Sequence, residues 1–168
     1  MASWIEQREQ LRSRLLSDRQ VKEENQRLRA EKVRAESPKA WKSLSVEILS
    51  QVATHNRIIA SAPQAQILEC SEENYIQLTG RVTEMLPGFC ISSPAPIILH
   101  IQFIPHNCVV SFAIPDRNIQ NSLYFDLTPS GDIGLYRGPH RITTEKGAEI
   151  ILCAFLDITN PSPSAQAT

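Results

Sequence analysis

The spacing of apolar residues changes three times along the chain, and each change predicts a different element. Residues 2–36 contain no Gly or Pro and are rich in Glu, Arg, Gln and Leu, all helix formers. Asp18–Lys22 and Glu23–Arg27 are spaced one turn apart in the favourable order, and Glu24–Arg27 and Glu31–Arg34 add three-residue pairs. Apolar positions here are sparse. The best heptad frame puts Trp4, Leu11, Asp18, Asn25 and Lys32 at one seam position and Gln7, Arg14, Val21, Leu28 and Ala35 at the other. Only half of these are apolar, which is poor for a coiled coil. Asn25, between Val21 and Leu28, nonetheless resembles the buried Asn that sets register in helix dimers. Helical pairing, with itself or a partner, competes with an extended solvated helix. A third state, a helix lying on a membrane surface through Trp4, Ile5, Leu11, Leu15 and Leu16, fits less well.

At Ser37-Pro38 the pattern changes. Ser is a preferred N-cap and Pro a preferred first helical residue, while the residue before Pro is pushed out of helical geometry. The first helix is therefore predicted to end or kink at Glu36–Ser37. A second helix then carries Trp41, Leu44, Ile48, Val52, His55 and Ile59 at intervals of three and four, with Leu49 beside them. That stripe is built for burial. The segment "SAPQAQ" ends it.

From Gln66 the period becomes two. "QILEC", "YIQLTGRV", "IILHIQFI", "CVVSFAI", "SLYFDL" and "IGLY" read as short strands joined by short turns, the pattern of an antiparallel meander. "EMLPGFCISSPAP" is predicted to be a loop. One sheet face collects Leu99, Ile101, Phe103, Cys108, Val110, Phe112, Leu123, Phe125 and Leu127. The other carries Ile98, His100, Gln102, Ile104, Val109, Ser111, Ala113, Tyr124, Asp126 and Tyr136. That second face is too polar for a core and too apolar for a purely solvated surface, a composition that suits an interaction surface.

In "ITTEKGAEIILCAFLDI", Ala148, Ile151, Leu152, Phe155 and Leu156 follow the helical template, although a buried strand would look similar. Thr143 or Thr144 as N-cap, with Glu145 in the first turn, selects a helix; Gly147 argues against one. The Pro/Ser-rich tail is predicted to be disordered. The expected fold is α+β: a helical arm, an amphipathic helix, an antiparallel sheet of five or six strands and a C-terminal helix, with both helices on one sheet face. Its units are residues 1–36, a charged arm; 37–158, the globular domain; and 159–168, the tail. In element order alone, this charged arm and α–meander–α succession resembles the RWD modules attached to coiled coils in eukaryotic complexes. The tight Tyr-Pro turn typical of that family is absent, and membership is not inferred.

Charge adds little. The net charge is -1 over 168 residues, divided as +4 over residues 1–60 and -5 over 61–168. The basic stretch from Arg8 to Arg34 is diluted by Glu at almost every turn, which argues against a nucleic-acid partner. The four cysteines, at 70, 90, 108 and 153, form no C-x-x-C pair and have no His at zinc-like spacing, so no metal site is expected. Cys90, Cys108 and Cys153 lie in apolar stretches and are expected to be buried free thiols of a reducing, cytoplasmic protein. No apolar run is long enough to cross a membrane.

Catalytic signatures are missing. The chain has no G-x-S-x-G, P-loop or H-E-x-x-H, nor a G-x-G-x-x-G after a strand. "SGDIG" reads as a hairpin turn. His55 falls on the buried stripe, His100 on the second sheet face and His106 in a turn, and a dyad of His106 with Cys108 lacks an orienting acid. No cofactor is expected. One constellation stands out: Arg137, His140 and Arg141, followed by Thr143 and Thr144, lead into the last helix. Cations beside a helix N-terminus make a candidate anion site; pairing with Glu145, Glu149 or Asp132 would make them structural instead. The expected function is a non-catalytic protein-interaction or assembly module. It would use the arm, through Trp4, Leu11, Val21, Asn25 and Leu28, and the second sheet face, through His100, Gln102 and Tyr124. The alternative is a binder of small anions, or an enzyme of unknown class, using the Arg137–Arg141 loop.

Overall fold

The computed structural model describes residues 3–61, 65–86 and 89–159, with the backbone only for 82–86 and 89–95. Helix α1 spans Trp4–Ile58, 55 residues, or about 80 Å at 1.5 Å per residue. A capping box starts it: the Ser3 amide donates to Glu6 Oε2 at 2.7 Å, and the Glu6 amide donates to Ser3 Oγ at 3.4 Å.

The predicted break at Ser37-Pro38 does not occur. Pro38 lies inside α1. There it removes one hydrogen bond to the Arg34 carbonyl and crowds that turn, a cost of about 3 kcal/mol in a helix interior. Burial outweighs it. Val33, Ser37, Trp41, Leu44, Ile48 and Val52 form one continuous buried stripe, and Pro38 sits on the exposed side. Ser37 caps nothing: it is fully buried and donates to Cys108 Sγ at 3.4 Å. The core therefore begins at Val33, four residues before the expected boundary.

Seven strands form one antiparallel meander in sequence order: β1 Leu68–Glu72, β2 Tyr75–Leu86, β3 Phe89–Ile104, β4 Val109–Ile114, β5 Ile119–Leu127, β6 Ile133–Arg137 and β7 His140–Ile142. A 3-10 turn, Pro115–Arg117, joins β4 to β5. The count exceeds the expected five or six because β7 is a three-residue strand, too short to show a period. Within the predicted loop "EMLPGFCISSPAP", residues 84–86 belong instead to β2 and 89–96 to β3, while 87 and 88 lie outside the described residues. Thr83 lies opposite Ser92 and Leu86 opposite Phe89, with a register shift between Arg81 and Thr83. The shift falls opposite Pro94 and Pro96, which have no N–H to offer a ladder.

Both helices cover one sheet face. Helix α2 spans Thr144–Thr159, so "ITTEKGAEIILCAFLDI" is a helix. Its N-cap is Thr143, whose Oγ1 accepts from the Lys146 amide at 3.1 Å. Ala148, Ile151, Leu152 and Phe155 meet α1 and the sheet-face residues Ile76, Leu78, Leu99, Ile101, Val110, Phe112 and Leu123 in one core. Gly147 fits because α2 comes so close to β6: a Cβ there would lie 2.5 Å from Leu135 Cδ2. The end of α1 is tied to β1 by Asn56, whose amide group bonds both the Ile67 N–H and carbonyl at 2.8 Å. Only part of the cysteine expectation holds. Cys108 is buried, whereas Cys153 is exposed along with Cys70, because it faces away from the sheet on α2. The side chain of Cys90 and residues 160–168 of the tail lie outside the described residues.

Candidate interaction surfaces

Every residue from Ser3 to Lys32 is exposed. The first ties between α1 and the sheet are polar. Arg29 forms a two-pronged pair with Asp126, Nε to Oδ1 at 3.2 Å and Nη2 to Oδ2 at 3.1 Å, and also bonds the Leu127 carbonyl at 3.1 Å. Lys32 Nζ donates to the Gly131 carbonyl at 2.7 Å. N-terminal to Arg29, the helix carries pairs of its own such as Arg19–Glu23 and Arg27–Glu24. Large apolar side chains are nonetheless displayed there. Trp4 is 69% exposed, Leu11 60%, Val21 57% and Leu28 52%, and Ile5, Leu15 and Leu16 are similar. Asn25 is exposed with them.

The sheet face opposite the helices is the second surface. Strand register sets its rows: Tyr75, Gln102 and Ser111 in one, Gln77, His100 and Ala113 in the next, Ile104, Val109, Tyr124 and Tyr136 in a third. Of the expected residues, His100 and Gln102 are therefore near neighbours, and Tyr124 lies toward the other edge. His100 stacks on Tyr75 with ring centroids 6.0 Å apart. The Tyr75 hydroxyl bonds His100 Nδ1 and lies 3.2 Å from Gln77 Oε1. Partial burial, and then the nearby Cys70 and Glu72, push the Tyr75 phenol above its ordinary value, so it stays neutral. Tyr124 stacks on Tyr136 at 5.5 Å and its hydroxyl donates to the Gly138 carbonyl. Tyr75 was not among the expected site residues. The signal was present: it opens "YIQLTGRV" in phase with Gln77.

The proposed anion constellation is divided by the strands that carry it. Arg137 and His140 are cross-strand partners in the β6–β7 hairpin, while Arg141 pairs with Tyr136. Alternation thus sends Arg137 toward the helix side, where it borders Lys146, Glu149 and Cys153. Arg141 points to the open side, its Nε 3.4 Å from where a Cβ on Gly134 would be. Thr143 Oγ1 already accepts the cap bond, and Thr144 is the first residue of α2. Among the described residues, Arg137 and Arg141 form no ion pair, and Glu149, which borders Arg137, pairs with Lys146 at 2.7 Å.

Among the described residues, no three His, Cys, Asp or Glu side chains are grouped to hold a metal ion, and no helix is long and apolar enough to cross a membrane. No family model, curated protein or solved structure matches this chain.

Proposed function

We propose that this protein is a non-catalytic interaction and assembly module. Its arm, the projecting part of α1, pairs with another helix, and the open sheet face offers a second contact. The observation that carries this reading is the set of Trp4, Leu11, Val21 and Leu28, all more than half exposed on a length of helix whose every residue is exposed. Exposed apolar side chains repeated along one element suit a surface that another chain covers, and a helix laid along a partner is a common form of such a contact. The mixed aromatic and amide composition of the open sheet face suits a protein partner.

The test is the mass of the full chain in solution, compared with a variant carrying Trp4→Ser, Leu11→Ser, Val21→Ser and Leu28→Ser. A multimer that becomes a monomer, with the domain's melting transition unchanged, supports the reading. A parent chain that stays monomeric at high micromolar concentration, with no change in the variant, overturns it.

A further inference from the structure

The seam residues along the projecting length of α1 are Trp4, Leu11, Asp18 and Asn25 in one row and Gln7, Arg14, Val21 and Leu28 in the other. In the first row the apolar residues come first; in the second they come last. Two copies of such a helix therefore match apolar to apolar when they run in opposite directions. With Trp4 opposite Leu28 of a second copy, Leu11 falls opposite its Val21, Arg14 opposite its Asp18, and Gln7 opposite its Asn25. Each layer then joins like polarity to like polarity, and the one charged layer joins opposite signs. The two-fold axis repeats all four layers, as an isologous contact requires. Beside the axis, Leu15 of each copy meets the other. The flanking Arg8 and Lys22 come near one another only at the solvated rim, where like charges are screened.

A parallel, in-register pair would instead stack Arg14 on Arg14 and Asp18 on Asp18, two repulsive layers within the seam. The geometry of α1 accommodates the antiparallel form. From Trp4 to Leu28 is about 37 Å of helix, and Arg29 is the first residue tied to the sheet. An overlap over that whole length places the two domains at opposite ends of the paired helices. Beyond Leu28 the next residue of the first row, Lys32, bonds the Gly131 carbonyl and ends the free length of the seam, which over Trp4–Leu28 faces away from the core. At 100° per residue it lies roughly 130° around the helix from the buried stripe of Val33, Trp41 and Ile48.

We propose that two copies of this chain pair antiparallel through Trp4–Leu28, with Arg14 of each copy facing Asp18 of the other. This rests on the reading of the arm as an assembly element and adds the identity of the partner, its direction and its register.

Charge exchange in the full-length protein tests it. Asp18→Arg alone and Arg14→Asp alone each place like charges in two layers and should raise the dimer dissociation constant at least about tenfold, because seam polar groups set partner orientation. The double exchange restores opposite charges and should return the constant to within about threefold of the parent. In a parallel pair each exchange merely replaces one like-charge layer with another, so all three variants would match the parent. That result, together with a dimer still lost on Leu11→Ser and Val21→Ser, overturns the antiparallel register and leaves the assembly reading standing. A parent chain that is monomeric at every concentration overturns both. Asp18 and Arg14 are exposed, so an unchanged melting transition in each variant verifies that the domain is intact.

Discussion

The indole N–H of Trp41 donates to the Glu73 carbonyl at 2.9 Å, joining the middle of α1 to the β1–β2 turn. The same ring stacks on Phe103 with centroids 5.7 Å apart, and Trp41 is buried. Trp41→Ala removes the largest side chain of the stripe and leaves the Glu73 carbonyl without its indole donor. It should cost about 3–5 kcal/mol. Lys42→Ala, one position around the helix and exposed, should cost less than about 0.5 kcal/mol. Chemical denaturation of the two variants checks this; equal small effects would show that the stripe is not the core.

Pro38 yields a prediction of opposite sign. It lies on the exposed side of a continuous helix, so Pro38→Ala restores a hydrogen bond to the Arg34 carbonyl without disturbing any packing. After deducting the stiffening that Pro gives the unfolded chain, the gain should be about 1–2 kcal/mol. Destabilisation by this change would mean that Pro38 starts a separate helix.

Gly147 and Leu135 should be coupled. Ala is the better helix former, yet a Cβ at position 147 would meet Leu135 Cδ2 at 2.5 Å inside the core. Gly147→Ala should therefore destabilise by about 1–3 kcal/mol. In a Leu135→Ala background the clash is gone, and the same change should be neutral or stabilising. A double-mutant cycle measures the difference; additive effects would place α2 farther from β6.

The reach of the domain along α1 is also measurable. Removing residues 1–28 should leave the melting transition unchanged, since every described residue N-terminal to Arg29 is exposed and the side-chain bonds from α1 to the sheet start with Arg29. Removing residues 1–36 also takes away buried Val33 and the bonds of Arg29 and Lys32. That should cost about 1–2 kcal/mol. Identical melting of the two truncations would return the boundary to Ser37.

His55 sits half-buried near the end of α1, and burial lowers its imidazole below the ordinary value. The unfolded chain then binds the proton more readily than the folded one. Stability from this group is present above the ordinary imidazole value of about 6.5 and is lost as pH falls from there through the lowered folded value. His55→Gln should flatten that part of the stability–pH curve. A parent curve without any decline below pH 6.5 would count against the burial of this ring.

Local periodicity carried most of the fold. The three- and four-residue intervals from Trp41 to Val52 mark the buried face of α1, alternation marks the strands, and Thr143 marks the start of α2. These signals are legible because each element must bury one face, and its own backbone geometry sets which residues share that face. Features decided between elements were not legible. The penalty at Pro38 is local and readable, but the burial that overrides it depends on the stripe beginning at Val33, against a sheet that no nearby residue specifies. β7 exists because Arg137 finds His140 across a two-residue turn, and that hairpin separates Arg137 from Arg141, which look clustered in the sequence. The Tyr75–His100 pair likewise spans 25 positions and is made by the register of β2 on β3. The sequence by itself determined which residues are buried together within one helix or strand, because that follows from the repeat of the backbone. Only the tertiary structure decided where helices continue, which loops pair and which polar groups meet, because those outcomes compare a local cost with burial and hydrogen bonds supplied from elsewhere in the chain.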